Sequence, residues 1–376
     1  ERVALLCREL AGRFERGGRL LALGGSAQAW SDARHVAVEF VHPVIVGKRA
    51  LPALALLDDG GELAEQVALL AGPEDIAIAF GADEDGGAGA AAIHAARDRG
   101  CLTIAFAAAG AEWEFEPPVA DRHIRQELIE TLYHVLWELV HVFFEHRGLL
   151  AGRDSRPTHD AGASSFLYPF LAEREADLEH VLADVANSAR GKSQDIGALR
   201  EQTLTENAGV LTAAARALRS SLHAGGSLLA LGNGGSATDA MDLVADVRHP
   251  GPGAPRWRSW PAIDLTEDPA ILTAIANDIG TEAIFARQVI AYGRPGDVLL
   301  ALSTSGNSAN VIAALTQARR QDLHTIALVG YDGGRIAAGG LADHVIVTRS
   351  EHIPRIQEAQ ASAYHALRAM IEDADA

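Results

Sequence analysis

The chain has 376 residues, of which 32 are basic and 50 acidic, so its formal net charge is −18. This negative field repels phosphate backbones and argues against general nucleic-acid binding. Hydrophobic residues make up 48% of the chain, which excludes disorder of the whole chain. The length is typical of two domains, and two cysteines are too few for a disulfide framework, which favours a cytoplasmic location.

Helical and strand-like patterns alternate through the first 146 residues. In chain order we predict a helix over residues 3–16, a strand within the motif GGRLLALGGS at residues 17–26, a helix over residues 32–40, strands over residues 53–59 and 75–80, a helix over residues 90–99, a strand over residues 102–107 and a long helix starting near residue 125. That helix is apolar over residues 128–144 but is interrupted by two glutamates and two histidines, so we predict a buried helix rather than a membrane span.

The second half repeats this order. We predict a helix over residues 209–223, a strand within GGSLLALGNGGS at residues 225–236, a helix over residues 239–247, strands over residues 262–268 and 297–303, a helix over residues 309–320, a strand over residues 323–329 and a final helix near residue 356. Extra helices are predicted over residues 173–189 and 196–205. Strands that alternate with helices predict parallel sheets flanked by helices. The sequence therefore predicts an α/β chain with tandem domains at residues 1–146 and 166–376 and a linker at residues 147–165.

Two loops of the second copy have features of a phosphate site. The segment ALSTSGNS at residues 301–308 lies between a buried strand and a helix, and Gly306 eases its turn. Hydroxyl groups and backbone N–H groups at a helix N-terminus favour an anion, although the same residues can simply cap the helix. The loop GNGGS at residues 232–236 also follows a strand, at the end where open α/β sheets bind ligands.

Four motifs in the second copy carry a family resemblance: GNGGSATDA, AIANDIG, LSTSGNSANV and HIPRIQEAQASAYH. Together they resemble the sugar isomerase (SIS) domain and, more narrowly, the phosphoheptose isomerases, which interconvert sedoheptulose 7-phosphate and an aldose heptose 7-phosphate. The resemblance covers about residues 190–376 and is weaker over residues 1–146. It implies two tandem SIS-type domains, and it implies that a phosphorylated sugar is held by Asn233, Gly234, Gly235, Ser236, Asn277, Asp278, Ser303, Thr304, Ser305, Ser308 and Gln357.

The resemblance also implies zinc, because this family typically uses a His and a Glu four residues apart and a Gln and a His eight apart. The first copy has the whole set: His35, Glu39, Gln126 and His134. The second copy keeps Gln357 and His365 but has Asp242 and Asp246 at the first two positions, so a metal site there departs from the pattern. The alternative is that two copies have decayed independently and that His35 and His134 are ordinary buried histidines.

The first copy lacks the phosphate loops. Its second loop reads FGADEDGG at residues 80–87, where Asp83, Glu84 and Asp85 would repel a phosphate. Its sequence has no counterpart of the Asn–Asp segment. Each copy thus lacks what the other keeps, which suggests one composite site made from two halves. Because the family's active sites lie at subunit interfaces, the resemblance also implies a homo-oligomer, namely a dimer of tandem-domain chains.

The predicted reaction is aldose–ketose isomerisation through an enediol. Glu39 is the candidate base and His134 the candidate acid, while His365 is a further catalytic candidate in the second copy. Zinc would polarise the carbonyl and hydroxyl oxygens. Two alternatives remain open, namely a non-catalytic sugar-phosphate sensor and a different SIS enzyme that acts on amino-sugar phosphates.

Overall fold

The chain forms two compact units, Glu1–Asp195 and Ile196–Ala376. The computed structural model describes residues 1–43, 48–58, 60, 62–82, 86–145, 178–249 and 258–373. The division between the units lies at Asp195, whereas the sequence predicts it at residue 165. The first unit extends further because Val185 is buried in its hydrophobic core. The predicted linker at residues 147–165 lies outside the described residues.

The first unit is a parallel five-stranded sheet with helices packed on it, and its strand order is β2-β1-β3-β4-β5. Its elements are α1 (Arg2–Glu15), β1 (Leu20–Gly24), α2 (Ala27–Val41), β2 (Ala53–Leu57), α3 (Leu63–Leu70), β3 (Ile76–Phe80), α4 (Ala88–Asp98), β4 (Leu102–Ala105), β5 (Trp113–Glu114) and α5 (Arg122–Glu145). The following helix, α6 (Leu178–Glu206), contains the boundary between the units.

The second unit has the same architecture. Its elements are α7 (Ala208–His223), β6 (Leu228–Leu231), α8 (Gly235–Arg248), β7 (Ala262–Asp264), α9 (Pro269–Asp278), a 3₁₀ turn (Thr281–Ala283), α10 (Ile284–Tyr292), β8 (Val298–Ser303), α11 (Ala309–Arg320), β9 (His324–Gly330), α12 (Gly334–Ala338), β10 (His344–Thr348) and α13 (Ile353–Asp373). The strand order is β10-β9-β8-β6-β7, again all parallel.

The two units share their topology strand for strand, since β7-β6-β8-β9-β10 repeats β2-β1-β3-β4-β5. Matching backbone contacts support this equivalence. The N–H of Leu51 donates to the carbonyl of Phe40 at 2.8 Å, and the N–H of Trp260 donates to the carbonyl of Val247 at 3.0 Å. Each bond joins the end of a helix, α2 in the first unit and α8 in the second, to the segment that leads into the next strand. The predicted duplication and the predicted α/β class are therefore confirmed.

Continuous apolar strands explain the layered core. Every residue of β1, β3, β6 and β8 is buried. Such runs are typical of parallel strands with both faces covered by helices. In the first unit, one layer contains α1, α2 and α5, and the opposite layer contains α3 and α4. No helix in the described part of the chain is long and apolar enough to span a membrane.

A buried aspartate precedes β3 and β8 and joins the backbone of neighbouring segments. In the second unit, the Asp297 carboxylate accepts the N–H groups of Ser227 and Arg294, both at 2.8 Å. We expect Asp297→Ala to lower the free energy of unfolding by about 2–3 kcal/mol, because two N–H groups lose a charged acceptor. Chemical denaturation of this variant and of Glu282→Ala, an exposed acidic control, measures the difference. Equal losses in both variants would contradict this role.

Candidate functional site

The two predicted phosphate loops of the second unit lie side by side. They follow β6 and β8, which are adjacent parallel strands. The Asn233 amide Nδ2 donates to Asn310 Oδ1 at 3.0 Å, and the Asn310 amide Nδ2 donates to Asn233 Oδ1 at 2.8 Å. This pair of hydrogen bonds joins the GNGGS loop to the first turn of α11. Two helix N-termini, those of α8 and α11, therefore open at the same edge of the sheet, and a helix N-terminus favours an anion.

The hydroxyl groups of the second loop are held by short local contacts. The Oγ atoms of Ser303 and Ser308 lie 3.2 Å apart. Ser305 Oγ accepts the backbone N–H of Asn307 at 3.1 Å, which fixes the side chain and leaves the hydroxyl proton to be donated elsewhere. Thr304, Ser305 and Ser308 are half-buried, so they border solvent. The loop thus presents donors at an accessible edge.

Gly306 allows this loop to pack closely against the chain after β9. Its φ is +62°, a conformation that side chains rarely adopt. A Cβ at this position would lie 2.2 Å from the carbonyl oxygen of Gly333. The carbonyl of Gly306 also accepts the N–H of Ile336 at 3.1 Å. The glycine is therefore required by both backbone geometry and space.

The other predicted sugar-phosphate residues have different surroundings. Gly234 precedes α8 with a φ of +58°, while Gly235 and Ser236 are buried in its first turn. Asn277 and Asp278 are exposed at the end of α9, where the Asn277 amide donates to Asp278 Oδ1 at 2.7 Å. Gln357 is buried on α13. The structure thus brings the two loops together and places the Asn–Asp pair at a helix end.

In the first unit, α2 and α5 bring two predicted metal ligands into contact. The Nε2 atoms of His35 and His134 lie 3.3 Å apart, and both side chains are buried. Burial, and then the neighbouring His134, lowers the pKa of His35 well below its ordinary value. His35 is therefore neutral, the form in which an imidazole binds a metal ion.

Glu130 completes a group that sequence reasoning did not assign. One ligand atom from each of His35, Glu130 and His134 lies within 4.8 Å of the other two. The equivalent residue in the second unit is Ala361, so comparing the two copies does not reveal Glu130 as a ligand. The available signal was the spacing of four residues between Glu130 and His134, which places both on one helix face.

The two remaining predicted ligands lie beside this group. Glu39 Oε1 is 4.0 Å from His35 Nε2, and among the described residues its buried Oε2 has no hydrogen-bond partner. Burial raises the pKa of Glu39 to about 7, with His134 acting in the opposite direction and Glu138 adding to the rise. Gln126 is half-buried on α5, one turn before Glu130.

This arrangement fits a metal ion. Two ligands at about 2.0–2.1 Å from a tetrahedral zinc lie roughly 3.3 Å apart, and the two histidine nitrogens are 3.3 Å apart. A bound metal ion would give the buried Oε2 of Glu39 a partner. In the part of the chain that the structure describes, one group of His, Cys, Asp or Glu side chains could hold a metal ion, namely His35, Glu130 and His134.

The equivalent positions in the second unit are closed by contacts within the chain. The Tyr364 hydroxyl donates to Asp242 Oδ2 at 2.8 Å, and His365 Nε2 lies 3.4 Å from the same oxygen. Arg368 Nε lies 3.7 Å from Asp246 Oδ2. The conceivable metal site of Asp242, Asp246, Gln357 and His365 therefore holds an arginine cation beside one of its carboxylates.

The first unit differs from the second in the connections that follow its strands. Among the described residues, α3 connects β2 to β3, whereas α9, a 3₁₀ turn and α10 connect β7 to β8. The segment with the Asn–Asp pair thus has a shorter counterpart in the first unit. The acidic residues Asp83, Glu84 and Asp85, predicted to repel phosphate, lie outside the described residues.

Comparison with known proteins agrees with this fold. The family model described as SIS domain matches residues 193–330, so the fold and its loops define an SIS-domain protein. The chain is 42% identical over 203 residues to the phosphoheptose isomerase of Chlorobium phaeobacteroides, a match that spans 54% of this chain and 85% of that protein. It is 44% identical over 175 residues to the phosphoheptose isomerase of Pelodictyon phaeoclathratiforme, spanning 46% and 82%. The chain belongs to the phosphoheptose isomerase family and is an isomerase of the SIS-domain type.

A solved structure matches almost the whole chain. The C-terminal domain of glucosamine-fructose-6-phosphate aminotransferase from Francisella tularensis superposes with a TM-score of 0.54 over 97% of this chain and 86% of that domain, at 9% identity. At this identity the likeness concerns the fold alone. It agrees with the α/β fold of the two units.

Proposed function

We propose that the chain interconverts sedoheptulose 7-phosphate and an aldose heptose 7-phosphate, with zinc as its cofactor. The observation that carries this proposal is the pair of loops joined by Asn233 and Asn310, in a unit that the SIS-domain model matches. The named activity of the relatives supports the choice of a seven-carbon sugar phosphate.

The second unit binds the phosphate in this proposal. Backbone N–H groups at the N-termini of α8 and α11 and the hydroxyls of Ser303, Thr304, Ser305 and Ser308 donate to the phosphate oxygens. GNGGS residues, Asn277, Asp278 and Gln357 contact the sugar. A phosphate fixed away from the reacting carbons supplies binding energy that positions them.

The first unit supplies the acid–base chemistry. Glu39 takes the proton from the carbon beside the carbonyl, and its raised pKa of about 7 suits a group that must both accept and return a proton. His134 donates toward the sugar oxygens. The zinc ion would be held by His35, Glu130 and His134, with Glu39 as a fourth ligand. Gln126, which lies on the same face of α5 as Glu130 and His134, is the alternative ligand. When bound, the metal would polarise the carbonyl and hydroxyl oxygens.

A second candidate function, a non-catalytic sugar-phosphate-binding protein, is favoured by burial. Glu39 is 2% exposed and His134 is 0% exposed, so neither side chain is open to a substrate in this structure. In the second unit, Asp246 at the equivalent position of the base is paired with Arg368 rather than free to take a proton.

Incubation of the full chain with sedoheptulose 7-phosphate tests the proposal. NMR spectroscopy should show the aldose accumulating in the presence of zinc. Fructose 6-phosphate and glucosamine 6-phosphate serve as matched substrates with a shorter chain or an amino group. Binding of sedoheptulose 7-phosphate without conversion would favour the non-catalytic function, and conversion of glucosamine 6-phosphate alone would favour an amino-sugar-phosphate enzyme.

Ser305 provides a direct test of phosphate binding. We expect Ser305→Ala to weaken sugar-phosphate binding by about 1–3 kcal/mol, or roughly 5–150-fold in Kd, because a charged acceptor loses one hydrogen bond. Isothermal titration calorimetry with sedoheptulose 7-phosphate measures this change. Ser220→Ala, at an exposed position of α7, is the control and should bind as the unaltered chain does. Unchanged affinity in Ser305→Ala would contradict the assignment.

A further inference from the structure

We propose that the Arg368 guanidinium is a built-in cation of the second unit, which neutralises the carboxylate equivalent to Glu39 and makes the second unit independent of metal. Where the first unit has a cluster that fits a metal, the corresponding residues of the second unit do not fit one. This inference concerns metal binding and stability, so it does not depend on the isomerase activity.

The two sites are equivalent positions of the duplicated fold. Tyr133 and His134 on α5 correspond to Tyr364 and His365 on α13. Their ring pairs have nearly the same geometry, with centroids 5.0 and 4.6 Å apart and an interplanar angle of 71° in both. Three residues further along each helix stand Trp137 and Arg368. One position thus holds an apolar ring in the first unit and a cation in the second.

Arg368 lies beside two carboxylates of the same chain. Arg368 is 0% exposed, its Nε lies 3.7 Å from Asp246 Oδ2, and its Nη1 donates to Glu372 Oε1 at 2.6 Å. An arginine stays protonated when it is buried beside carboxylates. Asp242, the remaining acidic residue of this group, accepts the Tyr364 hydroxyl at 2.8 Å.

The first unit lacks such a cation at this position. Trp137 is buried there and carries no charge. The carboxylate that corresponds to Asp246 is Glu39, whose Oε1 lies 4.0 Å from His35 Nε2 rather than beside an arginine. The first unit therefore offers ligand atoms to a divalent ion. In the second unit the Arg368 guanidinium, which already lies beside Asp246, would repel a divalent ion.

Zinc content of the full chain tests this inference. In a His35→Ala/His134→Ala background, which removes the cluster of the first unit, we expect no retained zinc after dialysis, measured by elemental analysis. Adding Arg368→Met should lower the Tm by roughly 10 °C, because buried carboxylates lose their cation. It should also allow uptake of about one zinc per chain by the freed carboxylates and His365.

Two further variants keep the test decisive. Arg368→Lys retains a cation and should stay free of zinc, and Arg349→Met, which removes an exposed arginine 3.2 Å from Glu206, should change neither zinc content nor Tm. Zinc that persists in the His35→Ala/His134→Ala chain and disappears on adding Asp246→Asn would overturn the inference. Equal zinc uptake by Arg368→Lys and Arg368→Met would overturn it as well.

Discussion

Replacing His134 by alanine should remove bound zinc from the full chain and lower kcat by at least about a hundredfold. The variant deletes an imidazole whose Nε2 lies 3.3 Å from that of His35, so the cluster loses one of its two nitrogen ligands. It also deletes the proposed acid. Elemental analysis and the NMR conversion assay measure the two effects separately.

His365→Ala is the matched control for the metal. It removes the equivalent histidine of the second unit, where Arg368 supplies the cation. We expect this variant to keep its zinc. Full zinc content in His134→Ala, together with loss of zinc in His365→Ala, would place the metal in the second unit.

Replacing Gly306 by valine should weaken sugar-phosphate binding by at least about 100-fold, because several charged hydrogen bonds of about 1–3 kcal/mol each depend on the loop geometry. The added Cβ would lie 2.2 Å from the carbonyl oxygen of Gly333, and a backbone oxygen cannot move aside cheaply. The loop must shift, and Ser305 and Ser308 shift with it. Calorimetric titration with sedoheptulose 7-phosphate measures the loss.

Gly340→Val separates this clash from backbone strain. Gly340 has a φ of +55°, close to that of Gly306, but a Cβ there would meet no atom within 4 Å. The control should therefore lose some stability and keep its affinity for sugar phosphate. If both variants bind equally well, the close packing of the Gly306 loop is not what shapes the phosphate site.

The sheets were predictable because their strands are continuous apolar runs. β3 and β8 begin one residue after the predicted start, and α11 has the predicted bounds, Ala309–Arg320. β7 is shorter than predicted and ends at Asp264. Its carboxylate Oδ1 accepts the N–H of Thr266 at 2.7 Å and the hydroxyl of Thr266 at 2.6 Å, a side-chain turn that ends the strand.

Other elements gave weak signals or different bounds. The edge strand β5 has two residues, and its counterpart in the second sheet, β10, is half-buried, so neither forms a long apolar run. The extra helices predicted over residues 173–189 and 196–205 form, from residue 178 onward, the single helix α6. The polar residues between the two patterns are compatible with a helix, and only the breaks in apolar spacing suggested a division.

Some residues of the candidate sites could be predicted from the sequence and others could not. Residues that follow a strand, such as Asn233 and Ser305, were predictable because the carboxyl ends of parallel strands share one edge. Glu130 and Arg368 were not predicted, because their roles arise from packing between helices that lie far apart in sequence. Their counterparts, Ala361 and Trp137, have different chemistry, so the internal repeat conceals both residues.

The rate of interconversion in Glu39→Gln and Asp246→Asn, measured by NMR at saturating sedoheptulose 7-phosphate, tests the central claim most directly. The two variants neutralise equivalent carboxylates of the two units. Because the proposed base lies in the first unit and phosphate binding in the second, Glu39→Gln should abolish interconversion while the variant still binds the sugar phosphate. Asp246→Asn should retain interconversion at a temperature where it is folded. Undiminished turnover in Glu39→Gln, with loss of turnover in folded Asp246→Asn, would contradict the account.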